Sequence, residues 1–130
     1  MTVDQFVGYT LLNATAVTTI TSSRITYGLR PIGTTLPAIN YYDLAGPSRF
    51  SGVQSVIMSI NCRAATARAA RDLADIVITL FAGSDATGTT GTNNGFSVAR
   101  ASLANVGGLI PEPDDNCFNV PVDVRLVSTL

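Results

Sequence analysis

Two periodicities meet between Val53 and Phe81, and this junction constrains the fold more than any other part of the chain. From Val53 to Cys62, Val56, Met58, Ile60 and Cys62 fall on one face of an extended strand. Ser55, Ser59 and Asn61 fall on the other, with Ile57 among them, so one face is expected to be core and the other half wet. After Arg63 to Thr66 the period changes. Ala69, Ala70, Leu73, Ile76, Val77, Leu80 and Phe81 recur at the spacing of an amphipathic helix over Thr66 to Phe81. On its opposite side Arg68–Asp72 and Arg71–Asp75 stand four apart, which predicts weak surface pairs of about 0.2–0.5 kcal/mol each. A strand with one apolar face that feeds a helix with one apolar stripe must stack helix on sheet.

The rest of the chain supplies the other members of those layers. Val3, Phe6, Val7, Leu11 and Ala14 predict a helix over Thr2 to Ala14. Thr2 and Gln5 fit a capping box, and Asp4 suits the positive end of the helix dipole. Gly8 weakens that helix by about 1 kcal/mol relative to Ala, so packing has to hold it. A short helical turn is expected over Thr15 to Ile20 and a short strand over Arg24 to Tyr27. Pro37 biases Leu36 to extended geometry and leads a strand from Ala38 to Leu44. Ala45 to Gly52, with Gly46-Pro47-Ser48, reads as a turn or long hairpin loop, and Gly83 to Gly95 as a low-complexity loop. Phe96 to Leu103 resumes as a strand, Gly107-Gly108 breaks it, and Pro111 to Asn116 is a turn. In the strand Cys117 to Val127, Phe118, Val120, Val122, Val124 and Leu126 alternate with Asn119, Asp123 and Arg125. Pro121 cannot donate to a ladder, which predicts that this strand is an edge or is bulged there. The sum is a single α+β domain over residues 1–130. It has a largely antiparallel sheet of about four strands, with two main helices packed on one face.

The side chains that most enzymes rely on are scarce. There is no His, and all eight basic residues are Arg. That removes a His-based triad, a Lys nucleophile and the usual His zinc site. Glu112, Asp114 and Asp115 form the one acidic cluster, in a turn flanked by two prolines, and an oxygen site for Ca²⁺ needs six or more ligands. The glycines at 88, 91 and 95 follow a helix instead of opening one and lack the Gly-Lys-Ser/Thr of a phosphate loop. Tyr41-Tyr42 could stack on bases, but a net charge of −1 supplies no basic groove beside them. A non-enzymatic protein with no metal or cofactor is expected. Charged residues make up only 13% of the chain, which suits a surface covered by partners. Cys62 and Cys117 match no metal-ligand spacing, and reduced, buried thiols are expected, with a cross-strand disulfide left open. No signal peptide and no membrane-spanning segment are expected.

Read in order, four segments resemble the tail-terminator (tail-completion) family of long-tailed bacteriophages. They are Arg24-Ile25-Thr26-Tyr27, Leu36-Pro37 with its strand to Leu44, Val53 to Cys62, and a helix reading Ala70-Arg71-Asp72-Leu73-Ala74-Asp75-Ile76-Val77. The chain departs from the family pattern in Thr26, between Ile25 and Tyr27, and in its Gly/Thr loop. The resemblance implies a virion protein, assembled in the host cytoplasm, that forms a ring, usually a hexamer, on the last ring of the tail tube. Such a ring ends tube polymerisation and offers a surface to the head-completion or connector protein. DNA only passes through its lumen, and no catalytic residue carries over. The rival readings are another neck component, such as a head-completion or stopper protein, and an unrelated non-enzymatic binding module.

A closed ring uses head-to-tail contacts, so each subunit needs two different patches. The segments Ala45–Gly52 and Gly83–Gly95 are expected to order on ring neighbours, tube or connector. The candidate subunit or partner contacts are therefore Arg49, Phe50, Thr87, Thr89, Thr90, Asn93, Asn94 and the presumed edge at Pro121.

Overall fold

The computed structural model describes residues 3–28, 35–50, 53–82, 91–93, 96–113 and 116–129. The chain runs α1 (Val3–Leu12), α2 (Thr15–Thr21), β1 (Ile25–Tyr27), β2 (Ala38–Phe50), β3 (Val53–Ala64), α3 (Ala67–Ala82), β4 (Gly91–Asn93), β5 (Phe96–Val106), β6 (Ile110–Glu112) and β7 (Cys117–Thr129). Among the described residues one sheet has seven strands, in the order β1-β2-β3-β7-β5-β4, with β6 also paired to β7. Every pairing is antiparallel except β1 with β2. The α+β class and the antiparallel bias agree with the sequence, but seven strands replace the expected four. Beyond the expected strands, among which the short one at Arg24 to Tyr27 becomes β1, the additions are the short pieces β4 and β6. β4 lies inside the stretch expected to be loop, because backbone pairing to β5 needs no apolar alternation.

The two alternating runs form the centre. β3 and β7 pair without a break from Val53↔Thr129 to Ala64↔Phe118. Val56, Met58, Ile60 and Cys62 meet Val120, Val122, Val124 and Leu126 on one face, all buried. The helices lie on that face and close the core with Phe6, Val7, Leu11, Val17, Ala70, Leu73, Ala74, Val77 and Phe81. Along α3 the buried stripe includes Ala74, while Ala69 is exposed and Ile76 and Leu80 are half-buried. Neither Arg68–Asp72 nor Arg71–Asp75 closes into an ion pair, in keeping with the small gain such exposed pairs offer. Thr66 caps the helix: its Oγ1 accepts from the Ala69 N–H at 3.2 Å. The capping box expected of Thr2 and Gln5 lies partly outside the described residues.

Gly8 has a packing reason. A Cβ there would run into the Tyr41 hydroxyl, so α1 and β2 approach closely only because the position has no side chain. Tyr41 also holds Tyr27, with ring centroids 5.4 Å apart. Arg24 ties the connection together. Its Nε donates to Pro37 O at 3.0 Å and its Nη2 to Ile20 O at 3.3 Å, joining the end of α2 to the start of β2. The Leu36–Pro37 peptide is cis.

β2 is longer than the sequence suggests. Ala45 to Phe50, expected as a turn or loop, continue the strand through register shifts on either side of Ala45. Gly46, at φ +98°, takes one of the two bends.

Candidate interaction surfaces

The register brings three of the sequence candidates, Arg49, Phe50 and Asn93, to one end of the sheet. Arg49 pairs with Gln54, Gln54 with Ser128, Ser128 with Val98, and Val98 with Gly91. That is one row crossing β2, β3, β7, β5 and β4. Phe50 lies one step further on, opposite Val53, and Asn93 pairs with Phe96. The described parts of the two segments, 45–50 in β2 and Gly91–Asn93 in β4, therefore lie at the same end of the sheet, with β3, β7 and β5 between them. Thr87, Thr89, Thr90 and Asn94 lie outside the described residues. This end also lies beyond the helix-covered core, whose last buried row is Val56 with Leu126.

Pro121 does not join them, and the edge expected at this residue is not found. β7 is an interior strand, with β3 on one side and β5 and β6 on the other. Pro121 pairs with Asn61 and sits seven positions from Ser128, about 23 Å at the usual rise per residue. A strand residue points its N–H and C=O to the same side. The Pro121 carbonyl accepts from the Gly107 N–H at 2.8 Å, so the missing donor faces β5 and β6. On that side β5 pairs only as far as Val122 and β6 resumes at Asn119. Pro121 occupies the gap where no ladder bond is required. Gly107 lets its ring in, since a Cβ there would overlap Pro121 Cγ.

The sheet face away from the helices is drier than a half-wet face at one end. Ser59, Asn61, Asn119 and Asn40 are all buried. Asn119 Nδ2 donates to Asn61 Oδ1 at 2.9 Å, and Asn40 Nδ2 donates to Gly28 O at 3.0 Å. Arg63 Nε donates to Glu112 Oε1 at 2.8 Å, and the Cys117 thiol lies 3.5 Å from the same oxygen. This assigns Glu112 to an ion pair within the sheet. Asn40 Oδ1, Asn61 Nδ2, Asn119 Oδ1 and Arg63 Nη1 lack a hydrogen-bond partner among the described residues, a burden on stability of about 1–3 kcal/mol per buried group. Towards the other end of this face the polarity returns, with Arg125 donating to Ser55 Oγ at 3.2 Å.

Both cysteines are free and buried. Cys62 points into the core, whereas Cys117 points to the opposite face beside Glu112, so the sheet separates the thiols. Burial pushes the Cys62 thiol far above its ordinary value, and the charge of Arg63 only partly opposes this. Among the described residues no group of three or more His, Cys, Asp or Glu side chains is placed to hold a metal ion, and no helix is long and apolar enough to cross a membrane.

Sequence reasoning missed a set of apolar side chains left open at the two sides of the sheet. Tyr27, Tyr42 and Leu44 are exposed at the β1–β2 side, and Leu103, Val106 and Ile110 at the β5–β6 side. Alternation could not reveal them, because Leu103 and Val106 belong to the core-facing set and are exposed only by their position at the margin.

The architecture places the chain among α+β domains with one curtain of helices on a mixed, mainly antiparallel sheet. It is similar in fold to a chain in the solved structure of the virion of a native gene transfer agent (GTA) particle. The TM-score is 0.65 at 13% identity, covering 93% of this chain and 90% of that one. No family model matches the chain, and no curated protein matches it.

Proposed function

We propose that this chain is a non-enzymatic structural protein of a phage-like virion, and that within the virion it forms the ring that caps the tail tube. The observation that carries the first part is the likeness in fold to a GTA virion chain over nearly the full length of both. The second part rests on the resemblance from Arg24 to Leu80, whose segments become β1, the start of β2, β3 and α3 in this fold. A cap needs a surface for the tube, a surface for the head-completion protein and contacts with its own copies. The end of the sheet that gathers Arg49, Phe50 and Asn93 is a candidate for one of the axial surfaces. In this reading the partners are further copies of the chain in a hexameric ring, the tail-tube protein and a connector protein, and DNA passes through the lumen.

Electron microscopy of particles made without this protein tests the reading. Loss of a cap removes the stop on polymerisation, so tail tubes of uncontrolled length are expected, and the purified protein should restore a fixed length. Tails of normal length beside unjoined heads would overturn the cap and assign the chain to the head side of the neck. Unchanged particles would overturn a virion role.

A further inference from the structure

We infer that the β5 edge of one subunit packs against the β1–β2 edge of the next, and that this head-to-tail contact between copies of the chain closes the ring. The inference rests on the ring reading above and adds the surfaces that the reading leaves unassigned. β1 covers β2 only at Ile39 to Tyr41, and β4 covers β5 only at Phe96 to Val98. Beyond those points neither outer edge has a strand partner among the described residues.

Each open edge carries large apolar side chains: Tyr27 and Leu44 at 51% exposure on one, Leu103 at 41% and Val106 at 36% on the other. The two patches lie at the same height. One row of the sheet runs from Tyr27 through Tyr41, Ile60 and Val122 to Val106. The next row runs from Asp43, beside Leu44, through Met58 and Val124 to Leu103. A copy displaced sideways along these rows sets Val106 against Tyr27 and Leu103 against Leu44 with no shift along the strands.

The strand sense also fits. β2, β3, β7 and β5 alternate in direction, so β5 of one copy meets β2 of the next in the antiparallel sense. Two unlike patches facing opposite ways are what a heterologous ring contact requires. A single foreign partner would need only one of them. Both edges are bulged, β2 around Ala45 and β5 between Leu103 and Asn105, and Pro47 lies further along β2. Bulges and proline interrupt a continuous ladder. The contact is therefore side-chain packing between the margins.

Cysteine cross-linking tests this. A Leu44→Cys/Leu103→Cys chain is oxidised both as purified protein and in assembled particles; native Cys62 and Cys117 are buried and stay out of the reaction. A ladder of covalent multimers in the double variant is expected. Each single variant should stay monomeric on a non-reducing gel. Adding Val106→Glu should abolish the ladder without moving the melting curve. No ladder in either preparation, or dimers from a single variant, would overturn the inference. Tail length is scored separately. Capped tails without a 44–103 cross-link discard the interface and leave the cap standing, whereas cross-linked rings that fail to cap tubes do the reverse.

Discussion

At the scale of single residues, the close approach of Gly8 to Tyr41 fixes how α1 sits on the sheet. In an open helix Gly→Ala adds about 1 kcal/mol of stability, but forcing a methyl against a packed ring costs about 1–3 kcal/mol. Gly8→Ala should therefore lower the melting temperature, and lower it by less in a Tyr41→Phe background, where the hydroxyl contact is gone and the ring contact remains. Thermal unfolding followed by circular dichroism reads both. Cys62 gives a second prediction, with a definite sign. Its folded pKa is raised above the ordinary 9.0, so above that pH the unfolded chain loses a proton that the folded chain keeps. Its contribution is complete well below pH 9 and is lost as pH rises through and beyond that value. Urea titrations between pH 8 and 10 should show stability falling more steeply with pH in the wild type than in Cys62→Ala. A thiol assay in denaturant should count two free cysteines per chain, since the sheet lies between them.

At the scale of elements, legibility followed the source of each element's order. β3, β7 and α3 were readable because apolar periodicity holds them, and their boundaries moved by only a few residues. The continuation of β2 through Ala45 to Phe50 and the short β4 are held by backbone pairing among Gly, Ser, Thr and Asn, which leaves no periodic trace. Pro121 was read correctly as lacking a donor but assigned to the wrong place. Sequence cannot show that β5 ends and β6 begins on either side of it. α3 offers a plain test of local order. Thr66→Ala removes the acceptor for the Ala69 N–H and should cost about 1 kcal/mol, measured by chemical denaturation. Arg68→Ala, on the exposed side with no ion partner, should change stability by less than about 0.5 kcal/mol.

At the scale of the whole molecule, the candidate contacts divide into an end and two sides. The end was half visible in the sequence: Ala45–Gly52 and Gly83–Gly95 stood out by composition, but only the register brings their described parts, in β2 and β4, to one end of the sheet. Deleting Thr87–Thr92 takes two of the three residues of β4 and none of the buried core. The expected product is a folded monomer that fails in ring formation or in joining tail to head. Circular dichroism, mass photometry and microscopy of the assembled particles check those points together. The sides were invisible, because exposure at a margin depends on which strands lack a neighbour.

The interior position of β7 has a consequence for biosynthesis. This strand is the last described element to leave the ribosome, yet it separates β3 from β5 and supplies half of the central apolar rows. A nascent chain that has reached only residue 116 carries β3 with its inner edge bare and its apolar face half built. α3 and β5 are already waiting for a partner that has not been translated. Such sequence-distant pairing makes folding slow and leaves the incomplete chain prone to aggregate. Chains stalled before Cys117 should be degraded rapidly by added protease, and protection should appear in one step once Thr129 has cleared the exit tunnel. Copies of this protein therefore become competent to assemble only after β7 has been made, which keeps subunits that lack it out of a growing particle.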